Sequence, residues 1–201
     1  MPSNKTVWLG ASLALLLNGC VSLPSTTSTQ SGSADAKAAK PADSALQRSY
    51  DNALKSLREG DLERANQAFQ QLADDNPQLS GPITNIGIIR LKQGDPVAAE
   101  KAFRDALARN PKSAPAHNQL GVALRMQGRF QEAEEAYQKA LKLEPVYLLA
   151  HRNLGILYDL YLAKPKQALE QYRLCQKLAE APDHEIEGWI LDLERRTGGG
   201  K

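Results

Sequence analysis

Apolar residues recur every three or four positions through much of the chain, and the clearest stretch lies near its middle. Leu120, Gly121 and Leu124 have helical spacing, and Gly128 with Arg129 interrupts it. A second apolar face follows, made of Ala133, Ala136, Tyr137, Ala140 and Leu141, and it ends before Pro145. Spacing of i, i+3, i+4, i+7 marks an amphipathic helix, so the stretch predicts two helices joined by a short turn. Proline cannot continue a helix and starts the next unit. Towards the C-terminus, Ile186, Trp189, Ile190 and Leu193 make one apolar face, with Glu187, Asp192, Glu194 and Arg195 opposite and Asp183 placed as an N-cap. Two segments lack this period. Val7 to Leu17 is a short continuous apolar run, and residues 21–45 have no apolar pattern.

The helical pattern repeats every 34 residues. Gly87, Gly121 and Gly155 keep that interval, as do Ala99 and Ala133, Phe103 and Tyr137, Ala106 and Ala140, and Pro111 and Pro145. Further back, Gly60, Ala65, Phe69 and Pro77 stand 34 before Gly94, Ala99, Phe103 and Pro111. A fixed period of this size is the mark of stacked repeats. Small residues at Gly121, Ala133 and Ala140 allow close helix approach, and Tyr137 fills the space between the pair. The segment "AHNQLGVALRMQGRFQEAEEAYQKALKLEP" resembles the tetratricopeptide repeat (TPR) along its whole length. The resemblance implies an all-α, right-handed superhelical solenoid.

The register divides the chain into four helix–turn–helix copies, 46–79, 80–113, 114–147 and 148–182. In the first, Ala53 takes the place of the helix glycine. The fourth has one extra residue in its turn, Ala163-Lys164-Pro165-Lys166-Gln167, and its closing proline moves to Pro182. A slightly opened turn is expected there. An open stack exposes the apolar flank of its last pair, so the amphipathic segment 183–196 is expected to cap it, with Trp189 part of that cover. Residues 197–201 should form a flexible tail.

The N-terminus bears on location. Lys5 precedes the apolar run Val7 to Leu17, which is too short for a span of about 20 residues. Leu17-Asn18-Gly19-Cys20 then resembles a bacterial lipobox, with Asn18 the less usual member. The resemblance implies a signal peptide over 1–19, cleavage after Gly19, a diacylglyceryl group on the Cys20 thiol and an acylated new N-terminus. A plain secretory signal with an incidental cysteine is the alternative. Each buried methylene contributes about 0.8 kcal/mol, so several acyl chains anchor a protein stably. Val21 and Ser22 follow Cys20, and the common sorting rule then implies the periplasmic face of the outer membrane. Residues 20–45 read as a Ser-, Thr-, Ala- and Pro-rich tether with a reach of about 25–30 Å.

Composition narrows the function classes. The signal peptide takes Lys5 with it, leaving 24 basic and 23 acidic side chains, so no bulk charge favours nucleic acid. With Cys20 lipidated, Cys175 is alone and reads as a small buried hydrophobe in the slot of Ala106 and Ala140. No phosphate loop or Ser–His–acid set is present. His117 and His151 share one repeat position and read as packing residues; Asp74-Asp75 and Glu134-Glu135 read as solvated charges. The expectation is no enzyme, no metal and no cofactor other than the covalent lipid.

In tetratricopeptide arrays the first helices of successive repeats line a concave groove, with places two, five, nine, twelve and thirteen turned towards it. The resemblance carries these places onto Tyr50, Leu54, Leu57, Arg58, Ile88, Leu91, Lys92, Val122, Arg125, Met126, Arg152 and Ile156. Thr84, Asn118, Asp159 and Leu160 occupy further such places. Leu54, Ile88, Val122 and Ile156 form an apolar stripe that could equally serve helix packing. Leu57, Leu91, Met126 and Leu160 widen it, and Arg58, Lys92, Arg125 and Arg152 flank it. Such a groove suits a protein or peptide segment with an apolar face and some acidic residues. The carboxylate-clamp places of one family branch hold Tyr50, Leu54, Asn85, Pro115 and Gln119, which argues against that mode. Lipobox and repeats together resemble the small TPR lipoproteins of pilus and secretion machines, such as type IV pilus pilotins and the tight-adherence pilus lipoprotein, although this array is shorter than six-repeat pilotins. The resemblance implies a lipid-anchored periplasmic scaffold for assembly or stability of an envelope machine. An adaptor docking peptidoglycan hydrolases is the alternative.

Overall fold

The computed structural model describes residues 41–198, and their regular structure is helical throughout. The helices are α1 (Pro41–Glu59), α2 (Leu62–Asp75), α3 (Gly81–Lys92), α4 (Pro96–Arg109), α5 (Ala114–Met126), α6 (Phe130–Leu143), α7 (Leu148–Leu160), α8 (Pro165–Leu178) and α9 (His184–Thr197). Successive helices pack against one another as antiparallel pairs, α1/α2 to α7/α8, and α9 lies on α8. The signal segment, Cys20 and the tether up to residue 40 lie outside the described residues, as do residues 199–201.

Two expected boundaries change. Helix α1 starts at Pro41, five residues inside the segment read as tether, because a proline suits a first helical turn and nothing from Ser44 to Arg48 breaks a helix. At the other end α9 runs through Thr197, whose hydroxyl donates to the Leu193 carbonyl at 2.8 Å. Gly198, at φ 73°, ends it in the left-handed conformation.

The turns follow from their glycines. Gly60, Gly94 and Gly128 have φ of 83°, 80° and 76°. After each, a backbone N–H reaches back five residues: Asp61 to Ser56, Asp95 to Arg90 and Arg129 to Leu124, at 3.0, 2.9 and 3.0 Å. In the fourth pair Ala163 takes the positive φ, 51°, and Lys164 reaches back six residues to Tyr158 at 2.8 Å. The extra residue therefore opens the turn by one position. Asp61, Asp95, Ser113 and Asp183 cap the helices that follow them by accepting backbone N–H bonds.

Inside each pair a small residue meets an aromatic ring. A methyl placed on Gly121 would stand 2.6 Å from the Tyr137 ring, so only glycine permits this approach. Gly87 with Phe103 and Gly155 with Tyr172 repeat the arrangement, and Ala53 and Phe69 share a core cluster in the first pair. These rings are fully buried or nearly so, and burial of each contributes about 1.5–3 kcal/mol. One continuous core runs from Ala99 to Leu193, while Ala53, Ala65, Phe69, Leu72 and Ile89 form a smaller one under α1–α3. The Ile186, Ile190 and Leu193 face of α9 is buried in the larger core.

Cys175 is buried, and its thiol donates to the Leu148 carbonyl at 3.3 Å. Burial pushes its pKa up to about 11, which removes thiolate character. His117 and His151 each set Nε2 against a proline carbonyl six residues earlier, Pro111 and Pro145, at 3.0 and 2.9 Å. Both are joints between a turn and the helix that follows.

Candidate protein-binding groove

The first helices of the pairs, α3, α5 and α7, are neighbours, and polar side chains tie this row together. Asn85 on α3 donates to the Tyr50 hydroxyl on α1 at 2.6 Å, and Asn153 on α7 donates to Asn118 Oδ1 on α5 at 2.9 Å. Tyr50 also sets its ring edge-on to Phe69 at 5.5 Å. Burial raises the Tyr50 pKa although Asn85 opposes the shift. These contacts put Tyr50 in the α1–α3 joint, half-buried. Thr84 and Asn118 are buried, so the fifth place mostly joins helices in this chain.

The ninth-place stripe is half-buried. Leu54 packs on the smaller core, and Ile88, Val122 and Ile156 pack on the larger. They lie on the row of first helices that the family resemblance assigns to a groove. Its rims change along the array. At the twelfth place Leu57 and Leu91 are half-buried, and Arg125 and Asp159 follow them at 34-residue intervals. At the thirteenth, Arg58 and Lys92 are exposed and are followed by Met126 and Leu160, 49% and 69% exposed. Charged and apolar rows thus exchange places midway.

The cations divide the same way. Arg58 and Lys92 form no ion pair among the described residues. Arg152 is held by α9: it pairs with Glu185 and with Asp183 at 3.8 Å, and its guanidinium lies 5.2 Å from the Trp189 ring centre. Asp159 is held from the same helix by Arg196 at 2.6 Å. Between α7 and α9 remains a cleft of about 440 Å³, lined by Ile156, Leu160, Tyr172, Trp189 and Arg196. A cleft of about 550 Å³ between α2, α3 and α4 includes none of the groove residues.

Arg125 has no acidic partner among the described residues. Its Nη1 donates to the Tyr161 hydroxyl at 3.3 Å, and its guanidinium lies 5.5 Å from the Tyr161 ring centre. Tyr161 is 41% exposed and stacks at 4.8 Å on Phe130. Beneath lies Tyr137, with 0% exposure, whose hydroxyl is close enough to influence Arg125 electrostatically. Among the described residues neither that hydroxyl nor Arg125 Nε makes a hydrogen bond of normal geometry, although the two side chains lie within reach of each other. Burial drives the Tyr137 pKa up against the opposing effect of Arg125. For Arg125 burial lowers the value, and the two tyrosines outweigh it and raise it. Sequence reasoning placed Arg125 in the groove and missed Tyr161, whose equivalents at 34-residue spacing are Glu59, Gln93 and Gln127.

Among the described residues no three potential metal-ligating side chains converge, and no helix is long and apolar enough to cross a membrane.

A tetratricopeptide repeat model matches residues 84–147 and, overlapping them, 127–160. No curated protein sequence matches the chain. Among solved structures, PilF of Pseudomonas aeruginosa is 23% identical with a TM-score of 0.71, covering 80% of this chain and 72% of its own. MamA of Desulfovibrio magneticus RS-1 is 18% identical with a TM-score of 0.62, covering 76% of this chain and 85% of its own. The first TPR domain of Spaghetti, bound to the HSP90 peptide SRMEEVD, is 22% identical with a TM-score of 0.54, covering 59% of this chain and 93% of its own. At these identities the likeness is one of fold. Residues 84–160 thus match the tetratricopeptide repeat model, and the described helices have the architecture of a TPR-like solenoid.

Proposed function

We propose that this protein is a lipid-anchored scaffold of the cell envelope that holds a partner protein by a peptide segment in its concave groove. Solenoids of stacked helix pairs are interaction scaffolds and in general carry no catalysis; their extended concave surface is what they offer. The observation that carries the reading is the concave row itself. It combines a half-buried apolar floor, the exposed side chains of Met126 and Leu160, and the cations Arg58 and Lys92 without ion-pair partners among the described residues. That surface fits a segment with an apolar face and acidic residues.

The anchor rests on Leu17-Asn18-Gly19-Cys20, which supports lipidation of Cys20 and a place on the periplasmic face of the outer membrane. The task we assign is to assist assembly or stability of a pilus or secretion machine. Docking of peptidoglycan hydrolases is the competing task. Met126→Lys with Leu160→Lys should abolish partner capture from envelope extracts while circular dichroism stays unchanged, since both side chains are exposed. An unchanged set of partners defeats the groove. A Cys20→Ser protein that stays on membranes defeats the anchor. A deletion strain with normal secretin rings and misregulated wall hydrolysis transfers the role to the hydrolase adaptor.

A further inference from the structure

The second helices, α2, α4, α6 and α8, do not pack on one another; between each two lies a seam floored by a first helix. The second and third seams are bridged by an acid. Glu100 takes Gln127 and Arg129 at 2.8 and 2.6 Å, and Glu134 takes Tyr158 and Lys164, both at 2.9 Å. Asn66 stands 34 residues before Glu100, and among the described residues no ion pair or side-chain hydrogen bond joins α2 to α3 or α4. Side chains fill this first seam less as well. Leu107 and Leu124 line the second seam, where a cleft of about 190 Å³ remains. At the same register places the first seam has Ala73 and Arg90, and its cleft is about 550 Å³. Ile83 and Ile86 form the floor, with Ala98 and Ala102 on the α4 wall. An arginine stands at each end. Arg109 donates to the Leu79 carbonyl, just before α3, at 3.3 Å, and Arg90 to Gln93 Oε1, just after α3, at 3.0 Å. The length of α3 sets these ends about 15–20 Å apart. Neither arginine has a carboxylate partner among the described residues, and Asp105 on the rim is taken by Lys101 at 3.6 Å.

We propose that this cleft is a second docking site, for an amphipathic helix of a partner protein with an apolar stripe between two acidic residues two to three turns apart. The other seams show what such a place accepts: apolar side chains over the floor and an acid–cation bridge. Here the cations are present and the acid is missing. Alanines on the walls let a helix approach closely, and its apolar anchors fall at i+3 and i+4 between the acids. Two to three turns span about 11–16 Å, and the reach of two arginine side chains makes up the remainder. Arginine suits this task because its fork takes a carboxylate with two donors. Within this chain α9 has acids seven apart beside the exposed Leu191, but Glu187 and Glu194 already meet His184 and Arg173, which favours a helix from another protein. The cleft shares no residue with the groove proposed above and does not depend on it.

The test is selection of stapled helical peptides with randomised faces on the full chain, followed by exchange of each acid for its amide. Enriched peptides should have two acidic residues seven or eleven places apart, with leucine or isoleucine between them. Losing either acid should weaken binding about 3- to 10-fold, the ratio for a partly exposed ion pair. Arg90→Met should cancel the effect of one acid and Arg109→Met that of the other. Ala102→Phe puts a ring into the cleft from a half-buried position and should abolish binding with circular dichroism unchanged. Met126→Lys with Leu160→Lys should leave binding intact. Should the ring unsettle α4, the two arginine variants still decide the matter. No enrichment, enriched peptides without the paired acids, or acid effects that persist in both arginine variants overturn the site. Binding lost in Met126→Lys/Leu160→Lys and kept in Ala102→Phe also overturns it and supports the groove instead. Concentration-dependent self-association that Ala102→Phe removes assigns the cleft to a second copy of this chain and overturns the partner helix.

Discussion

The two halves of the concave face solve one packing problem in opposite ways. In the first half the twelfth place is apolar and inner, Leu57 and Leu91, and the thirteenth is cationic and outer, Arg58 and Lys92. In the second half the inner place is charged, Arg125 and Asp159, and the outer one apolar, Met126 and Leu160. The first order is the usual one for a soluble surface, since water solvates charges and apolar side chains gain by burial. The second reverses it and therefore needs compensation. Asp159 obtains it from Arg196 on α9, and Arg125 only from the hydroxyl and ring of Tyr161. Exposed apolar side chains and a poorly compensated cation thus coincide in the second half, over the larger continuous core. Surface features unfavourable to the folded chain alone sit on its most extensively packed part, as the proposed binding surface requires.

The largest test of this asymmetry removes α9. Deleting residues 183–201 strips Ile186, Ile190 and Leu193 from the core and takes the partners of Arg152 and Asp159 with them. At about 1.5–3 kcal/mol for each buried aliphatic side chain, the loss should be about 5 kcal/mol or more, read from the urea midpoint. Hydrogen exchange should quicken first in α7 and α8. An unchanged midpoint would mean that α9 does not seal the second half.

Exchanging residues at the twelfth place is the next largest perturbation. Leu91→Arg should cost about 2 kcal/mol, because it exchanges a half-buried apolar contact for a charge with no partner. Arg125→Leu should change stability by less than about 0.5 kcal/mol, since it removes an unpaired buried donor as well as a charge. Equal costs at the two sites, measured by chemical denaturation, would show that the two inner places are alike.

The seam between the halves is sensitive to acid. Glu100 on α4, with its side chain 13% exposed, takes bonds from Gln127 at 2.8 Å, Arg104 at 2.8 Å and Arg129 at 2.6 Å. Burial alone would raise its pKa; the three donors outweigh that and hold it below the ordinary glutamate value of 4.5. The folded pKa is depressed, so the stabilisation is present above the unfolded value and disappears as pH falls through the folded one. Glu100→Gln should therefore cost about 1 kcal/mol at pH 7, and the cost should shrink as pH falls below the ordinary glutamate value towards the depressed folded one. A difference independent of pH would mean that the Glu100 charge is not what joins the two repeats.

Much of this was legible in the chain. The 34-residue interval gave the helix pairs, the small residues that let them approach, the aromatic ring between them and the extra residue in the fourth turn. The family resemblance carried Arg125 to a groove place. A register gives the direction of a side chain and not how deeply its neighbours cover it. Tyr50 pointed the right way and became a joint because Asn85 and Phe69 lie within its reach. Ile88 and Met126 were read as equal groove members, yet one is half-buried and the other exposed. Tyr161 lies just past the register's groove places, where only the fold brings it to Arg125. The start of α1 escaped notice because a Ser-, Ala- and Pro-rich composition describes a tether and a first helical turn equally well.

The one stabilising effect predicted lies in the turn that departs from the repeat. Three turns give the left-handed position to glycine, and the fourth gives it to Ala163 at φ 51°. A Cβ in that conformation costs about 1–2 kcal/mol. Glycine would remove this strain and return about 0.4–1 kcal/mol through its greater freedom in the unfolded chain. Ala163→Gly should then stabilise the protein by about 0.5–1 kcal/mol, seen as a higher urea midpoint with an unchanged slope. Because Ala163 is exposed, few lost contacts can mask the backbone term. The same exchange made at Ala108, an exposed alanine inside α4, should destabilise by a similar amount. Opposite signs at the two alanines identify backbone conformation as the cause. A loss of stability at both would mean that the extra residue is accommodated without a left-handed turn at Ala163.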